Sequence, residues 1–498
     1  MDAHNEAVAT VAAKVRKFYD RGQTFRIYHG STNSTRQLSH RRDNIIDTSG
    51  LSHVLHLDTG SRTALVEPNV PMDSLVQATL QQGLLPLVVM EFPGITVGGG
   101  FAGTSGESSS FKYGVFDSTI TWVEIVLANG DTVTASETEN PDLFRGAAGS
   151  FGTLGVVTLL KVQLREAKSY VELTYQRTTS VPETIETIKG AMNNHENDYV
   201  DGILFGRDYG VVMTGRLTNQ IRPGTRLQRF TRARDPWFYI HVERVFARSS
   251  SPVVEAIPIT DYLFRYDRGA FWTGAHAFKY FLTPFNRITR FFLDRFMHTR
   301  VMYHALHESG LADQYIIQDL PFPFATVQKA IEYIDAEFKI WPLWLCPLRN
   351  PRKGHRSLHV SAMGEDVATE GVLSIGVWGP GPKDHRKFIG ANRRFEGKIY
   401  ELGGIKVLYA RTYYTEDEFW RVYDRQWYDS LRQKYHATTL PTVYDKVKAD
   451  LDSKKASTNP SVFVWLLRIF WSIWPFSGLY GVFQVLVGGD YLLKEKSS

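Results

Sequence analysis

The sequence predicts an α+β fold: one domain over residues 1–166, a larger one over 167–450, a linker over 451–460 and an apolar helical segment over 461–490. Three observations carry this reading. Short β-rich runs alternate with helical stretches and show no fixed repeat. Glycine-punctuated loops cluster in the first third of the chain. The C-terminal end is strongly apolar while the stretch before it is polar and lysine-rich.

The composition sets the bounds. At roughly 150 residues per domain, 498 residues give a prior of two to four domains. A 43% hydrophobic and 22% charged chain has enough apolar matter for a core, so a disordered or collagen-like chain is excluded. The net charge of +5 is small for this length and makes no case for a nucleic-acid binder. The basic cluster at 36–42 is broken by polar residues. One cysteine, Cys346, excludes a disulfide scaffold and points to a reducing compartment.

Taken in order, residues 1–20 mix small apolar residues with Lys14, Arg16 and Lys17, which predicts an amphipathic helix rather than a signal peptide. Residues 62–66 and 122–127 read as strands, and 72–82 as a helix after Pro71. Asn129-Gly130 predicts a hairpin into Thr132-Val133-Thr134. Runs at 206–215, 371–377 and 406–409 suggest a second sheet. In the tail, 461–487 carries Arg468 as its only charge. Its first half roughly breaks even for insertion, because one central Arg costs about 2.5–3.5 kcal/mol. Its second half makes insertion favourable, with Pro475 and Gly478 between them. A kinked span, a shallow hairpin, an interfacial anchor and a segment packed on the protein itself all remain open.

The densest functional signal is 92–114, with seven glycines, four serines and two threonines. Gly98, Gly100 and Gly103 satisfy a dinucleotide-binding pattern. Pro93 before them and the glycine- and serine-rich stretch after them leave no place for the strand and helix that pattern requires, so a Rossmann site is rejected. A loop of glycines instead lets backbone N–H groups converge on an anion while Ser and Thr hydroxyls add donors. Two more such loops accompany it, 26–33 upstream and 149–158 leading into a strand. Without them a structural glycine loop would be the simpler reading.

These three loops in this order resemble the vanillyl-alcohol-oxidase-type (PCMH-type) flavoproteins, whose two-subdomain FAD-binding domain wraps the pyrophosphate. The resemblance implies FAD contacts from Gly30 and Ser31 in the first loop. In the second it implies Thr96, Val97, Gly98, Gly99, Gly100, Phe101, Ala102, Gly103, Thr104, Ser105, Gly106, Glu107, Ser108, Ser109 and Tyr113, and in the third Gly155 and Val157. Glu107 and Lys112 would meet pyrophosphate or ribose. No residue clearly matches the histidine that some members attach to flavin, so the FAD is expected to be non-covalent.

Thr96-Val-Gly-Gly-Gly-Phe-Ala-Gly-Thr-Ser-Gly-Glu-Ser-Ser-Ser-Phe-Lys-Tyr-Gly-Val-Phe116 is similar to the FAD loop of the delta(24)-sterol reductases (the Diminuto/seladin family). Glu67-Pro68, Trp341-Pro-Leu-Trp-Leu-Cys-Pro347, Leu408-Tyr-Ala-Arg-Thr-Tyr413 and the blocks at 418–420 and 443–446 resemble the same family in the same order. Its animal and plant members carry their membrane segment at the N-terminus, whereas the apolar segment here is C-terminal. The resemblance implies reduction of an isolated sterol side-chain alkene, with NADPH as hydride donor through FAD. It also implies membrane association, at the endoplasmic reticulum with the catalytic part on the cytosolic side.

An isolated alkene needs a proton on one carbon and a hydride on the other. Tyr409 and Tyr413, on one face if their segment is extended, are the candidate proton relay, or else ordinary strand residues. His304 and His307 share a helical face, but no third metal ligand is suggested and no metal is expected. No Gly-x-Ser-x-Gly elbow is present, which disfavours a serine hydrolase. Cys346 reads as core. An alcohol or sugar-lactone oxidase or dehydrogenase of the same superfamily is the second reading, although the chain lacks the His-Trp-x-Lys type block. A sterol-binding scaffold is the third.

Overall fold

The computed structural model describes residues 1–30, 34, 40–309, 314–349 and 370–450, with 479, 480, 482, 483, 493 and 494 near the C-terminus. Ser31, the linker 451–460 and most of 461–490 lie outside the described residues. No described helix is long and apolar enough to cross a membrane.

Two sheets organise the chain. The first has the strand order Val54–Asp58, Thr63–Val66, Gly155–Glu166, Ile120–Leu127, Thr132–Ser136, with Leu84–Pro86 also pairing Gly155–Glu166. The expected hairpin forms at Asn129-Gly130, where Gly130 takes φ +88° and the Asn129 side chain accepts from the Asp131 N–H. A Cβ at Gly130 would lie 2.9 Å from Arg16 Cβ, because the helix Asp2–Asp20 runs across this turn. That helix buries His4, Val8, Val11 and Val15 along one face. His4 sits 2.8 Å from Glu67 and 3.2 Å from Glu124, tying the helix to the sheet.

The second sheet has eight strands in the order Arg226–Leu227, Val253–Pro258, Tyr170–Thr178, Tyr209–Thr218, Tyr199–Gly206, Leu343–Leu348, Val372–Pro380, Tyr315–Pro323. Its last three strands alternate cleanly. Ile316, Leu320, Leu343, Leu345, Leu373, Ile375 and Val377 face the helices Val181–Asn193, Val327–Phe338 and His385–Glu401, forming one core. Residues of the opposite parity, including Ile317, Asp319, Trp344, Cys346, Ser374 and Trp378, border a cavity instead.

The run 406–409 is not a strand. Ile405 and Val407 donate to Pro321 and Asp319 carbonyls at 3.0 Å, so the chain follows the edge of Tyr315–Pro323, then turns at 408–410. The cause is a buried ion pair: Lys406 Nζ lies 2.7 Å from Glu396, which also accepts from the Thr412 hydroxyl and the Tyr413 N–H. Pulling Lys406 and Tyr413 to one carboxylate bends the segment between them.

The segment from Asp267 to Thr299 is closed by a second polar knot. His298 Nδ1 is 2.6 Å from Asp267 and its Nε2 is 3.5 Å from Asp294, which Arg268 also pairs. Hydrogen bonds donated by its ring to the two carboxylates raise His298 to about 9. Its stabilisation is therefore complete below the ordinary histidine pKa near 6.5 and is lost as pH rises through about 9. A shift of this size corresponds to ~3 kcal/mol, which the partial exposure of the ring screens to ~1–2 kcal/mol. Unfolding measurements should find His298→Gln less stable than the parent by that amount at mildly acidic pH. At strongly alkaline pH the two proteins should converge. A difference independent of pH would refute this assignment.

Candidate functional site

A cavity of about 500 Å³ is lined by the glycine-rich segments near the first sheet and by the open face of the second sheet. On the first side, the expected open loop is in part a helix, Val97–Gly103. Thr96 caps it by accepting the Gly99 N–H at 3.1 Å, and Thr104 ends it in the left-handed region. Two of its glycines allow close packing: a Cβ at Gly98 would lie 2.7 Å from Pro68 Cβ, and at Gly100 2.4 Å from Met90 Cε.

The helical turn sorts the expected cofactor residues. Thr96, Gly98, Gly99, Ala102, Gly103, Thr104, Ser105 and Gly106 line the cavity. Val97, Gly100 and Phe101 point into the core. From Glu107 to Tyr113 the chain leaves the cavity, which it rejoins at Val115. Ser109 donates to the Leu87 carbonyl, Ser108 lies 3.3 Å from the Tyr262 hydroxyl, and Tyr113 accepts from Arg165. Lys112 donates to the His195 and Asn197 carbonyls, so it ties this segment to the turn before the strand Tyr199–Gly206. Glu107 is 3% exposed, with both carboxyl oxygens lacking a hydrogen bond and Arg265 at 3.6 Å. Burial pushes it to about 8.

Gly155 and Val157 line the cavity, after a turn in which Phe151 and Gly152 adopt positive φ. Gly30 does not; it ends the strand Arg26–Tyr28 with φ +79°, and Arg26, Ile27 and His29 take its place at the wall. Lys446 reaches the same wall and donates to the Phe151 carbonyl at 2.5 Å. Nothing in the sequence alone marks Arg26 or Lys446 as site residues, although Lys446 closes one of the family-like blocks.

The opposite wall is aromatic and aliphatic, with Phe271, Tyr303, Ile317, Trp344, Trp378 and Ile405 among its residues. One half-buried acid interrupts it. Asp319 shares a hydrogen bond with Tyr409, whose oxygen accepts from Trp378 Nε1 at 3.2 Å. Burial raises Asp319 to about 7, the Tyr409 hydroxyl holding it below a higher value still. Glu91, also on the cavity, is raised by burial to about 7, and the neighbouring Asp319 charge adds to the shift. Burial likewise raises the phenols of Tyr409 and Tyr303. Asp319 and Glu91 were missed in the sequence reading; each is a lone acid inside an apolar run.

Tyr413 is separated from Tyr409. Because the segment bends, its ring packs in the helix-side core against Phe388, away from the cavity. The proton-relay expectation narrows to Tyr409. Cys346 is buried and borders the cavity, and burial raises its thiol. His307 lies 2.8 Å from the Ser34 carbonyl, and burial lowers both His304 and His307. Among the described residues, no cluster of three or more His, Cys, Asp or Glu side chains is placed to hold a metal.

The cavity suits a flavin dinucleotide. Gly103 borders it, and an added Cβ would find no atom closer than Ser105 Oγ at 3.8 Å, which leaves an open cradle beside the backbone. Ser and Thr hydroxyls and the cations Arg26 and Lys446 stand on the same side, matching an anionic linker. These features define the class, a protein with an FAD-binding domain. Accordingly, residues 4–136 match the FAD binding domain family.

More particularly, the chain is similar to the delta(24)-sterol reductases along most of its length. It is 28% identical to that of Macaca fascicularis over 456 residues, 89% of this chain and 86% of the relative. It is 29% identical to that of Pisum sativum over 446 residues, 82% and 77% of the two chains. A cytokinin dehydrogenase of Oryza sativa is 26% identical but covers only 36% of this chain and 35% of its own.

Replacing Gly103 by Val should fill the cradle without striking the chain. The variant should keep its far-UV circular dichroism and melting temperature while losing FAD from the purified protein, ~10-fold or more in content for a blocked close approach. Full flavin content in Gly103→Val would contradict the cradle.

Proposed function

We propose that this protein is an FAD-dependent reductase of an isolated carbon–carbon double bond in a sterol side chain, with NADPH as the reductant and the flavin held non-covalently. The observation that carries the reading is the Asp319–Tyr409 pair, a half-buried acid on an otherwise apolar wall facing the glycine cradle. The similarity to delta(24)-sterol reductases along most of the chain supports it.

The chemistry follows from the substrate class. No carbonyl polarises an isolated alkene, so hydride addition requires a proton on the neighbouring carbon. FAD held by the glycine cradle would, in its reduced form, supply the hydride. Protonated Asp319 donates to the Tyr409 oxygen, which Trp378 also supports, while the Tyr409 hydroxyl proton goes to the alkene. Asp319 is left as a carboxylate and recovers its proton from solvent. Aromatic faces of Trp344, Trp378 and Phe271 steady positive charge developing on the substrate. The apolar walls exclude water, which would otherwise capture a cation.

A substrate of this kind dissolves in bilayers. That solubility, together with the apolar tail, supports a membrane-associated protein, at the endoplasmic reticulum with its catalytic part on the cytosolic side. The proposed division is an FAD domain over 1–166 and a substrate domain over 167–450.

Anaerobic addition of NADPH should bleach the bound flavin, and acid precipitation should release that flavin from the protein. Asp319→Asn and Tyr409→Phe should still be bleached at the parent rate while turning over substrate ~10²-fold or more slowly. Tyr413→Phe should turn over normally. Oxygen uptake with an alcohol or sugar lactone would favour the oxidase reading, and no redox response at all a scaffold.

A second expectation concerns pH. Because the reactive form of Asp319 is protonated, turnover should fall as pH rises through about 7 while flavin reduction does not follow that limb. An alkaline limb unchanged in Asp319→Asn would assign the proton to another group.

A further inference from the structure

Five large apolar side chains stand exposed on one short strap: Leu282 at 74%, Phe285 at 40%, Ile288 at 68%, Phe291 at 48% and Phe292 at 75%. We infer that this strap is a membrane-docking element that sets the mouth of the cavity against an anionic lipid surface. The inference deepens the proposed reading, since it rests on a substrate dissolved in the bilayer.

The exposure is built into the fold. Asn286 caps the short helix Arg287–Phe292 by accepting from the Ile288 and Thr289 N–H groups, and Thr289 donates to the Pro284 carbonyl. Beneath the strap, Arg290 lies over the rings of Trp237 and Phe285. The polar knot of Asp267, His298, Asp294 and Arg268 holds its C-terminal side. With its base fixed in this way, the strap directs its apolar side chains outward.

Continuity with the cavity gives the strap a purpose. Tyr280 and Phe281 before it, and Phe296 and Met297 after it, line the cavity. An apolar molecule leaving a bilayer at this strap would meet apolar surface all the way to the aromatic wall. Val482, from the apolar tail, lines the same cavity, with Leu479 and Phe483 exposed beside it.

Charge identifies the occupant. Lys279, Arg287 and Arg295 are exposed around the apolar residues, while the one acid in the strap, Asp294, is turned toward Arg268 and His298. Apolar tips ringed by cations are the composition of an interfacial element on anionic lipid. A second copy of the chain would bring the same cations together, which is unfavourable.

The test uses the full chain, with a single label. Because Cys346 is buried, Ile288→Cys can carry an environment-sensitive dye, and Leu227→Cys, exposed elsewhere, serves as control. Phosphatidylcholine vesicles containing phosphatidylserine should shift the dye at 288 to the blue and leave the dye at 227 unchanged. The double variant Ile288→Glu/Phe292→Glu should bind these vesicles ~10-fold or more weakly, because two buried apolar side chains are lost. It should also turn over vesicle-held substrate more slowly and detergent-dispersed substrate at the parent rate.

Three results would overturn the inference. One is protein bound to vesicles with no shift at 288. Another is a shift that grows with protein concentration alone, which would mean a second copy. The third is a dye already shifted without lipid and released by deleting 461–498, which would mean the tail. The vesicle readouts need no turnover, so failure of the sterol reading and failure of the docking reading are told apart.

Discussion

A carboxyl group set into an apolar wall, away from solvent and without a cation of its own, favours its neutral form. Asp319 is such a group, on the cavity face of the eight-stranded sheet. Its strand must bury one face against helices and present the other to the cavity, so the alternation that gives the sheet a core also delivers the acid. Cavity neighbours confirm the pattern rather than break it. On the next strand Trp378 stands opposite Ile317, and on the strand after it Trp344 pairs with Gly376, the residue opposite Asp319.

The supports of Asp319 are specific. Gly376 stands opposite it in register, and a Cβ there would lie 2.4 Å from the Trp378 ring. The missing side chain makes room for the indole that donates to Tyr409. Val407 donates its N–H to the Asp319 carbonyl, which fixes the segment carrying Tyr409 beside the strand. The Lys406–Glu396 pair behind it supplies the bend. Removing one member of such a buried pair costs ~3–5 kcal/mol, so that bend is strongly held. Deeper still, Asp201 pairs with Arg265 at 2.9 Å and accepts from Tyr266 and Trp344, leaving no full counter-charge for Glu107 or Glu91.

Much of this was legible in the sequence because it rests on local rules. The Asn129-Gly130 hairpin, the helix after Pro71 and the glycine-punctuated turn before Gly155 follow from turn chemistry and periodicity. Which glycines face the cavity was not legible, since it depends on the helical phase that Thr96 sets and Thr104 ends. Tyr409 and Tyr413 were paired by assuming an extended chain. The long-range attraction of Lys406 to Glu396 overrode that local tendency. Glu107 stands within the glycine-rich motif, yet it faces Arg265, a partner far away in the chain. Asp319 and Glu91 had a readable signal, a single acid in an apolar stretch, but only the assembled cavity gives that signal a meaning.

The central claim is that Asp319 holds a proton near neutral pH, and infrared difference spectroscopy of the parent against Asp319→Asn tests it directly. The account predicts a protonated carboxyl band assigned to this residue that disappears as pH rises through about 7. A residue already ionised at the ordinary carboxylate range, near ~4, would contradict it.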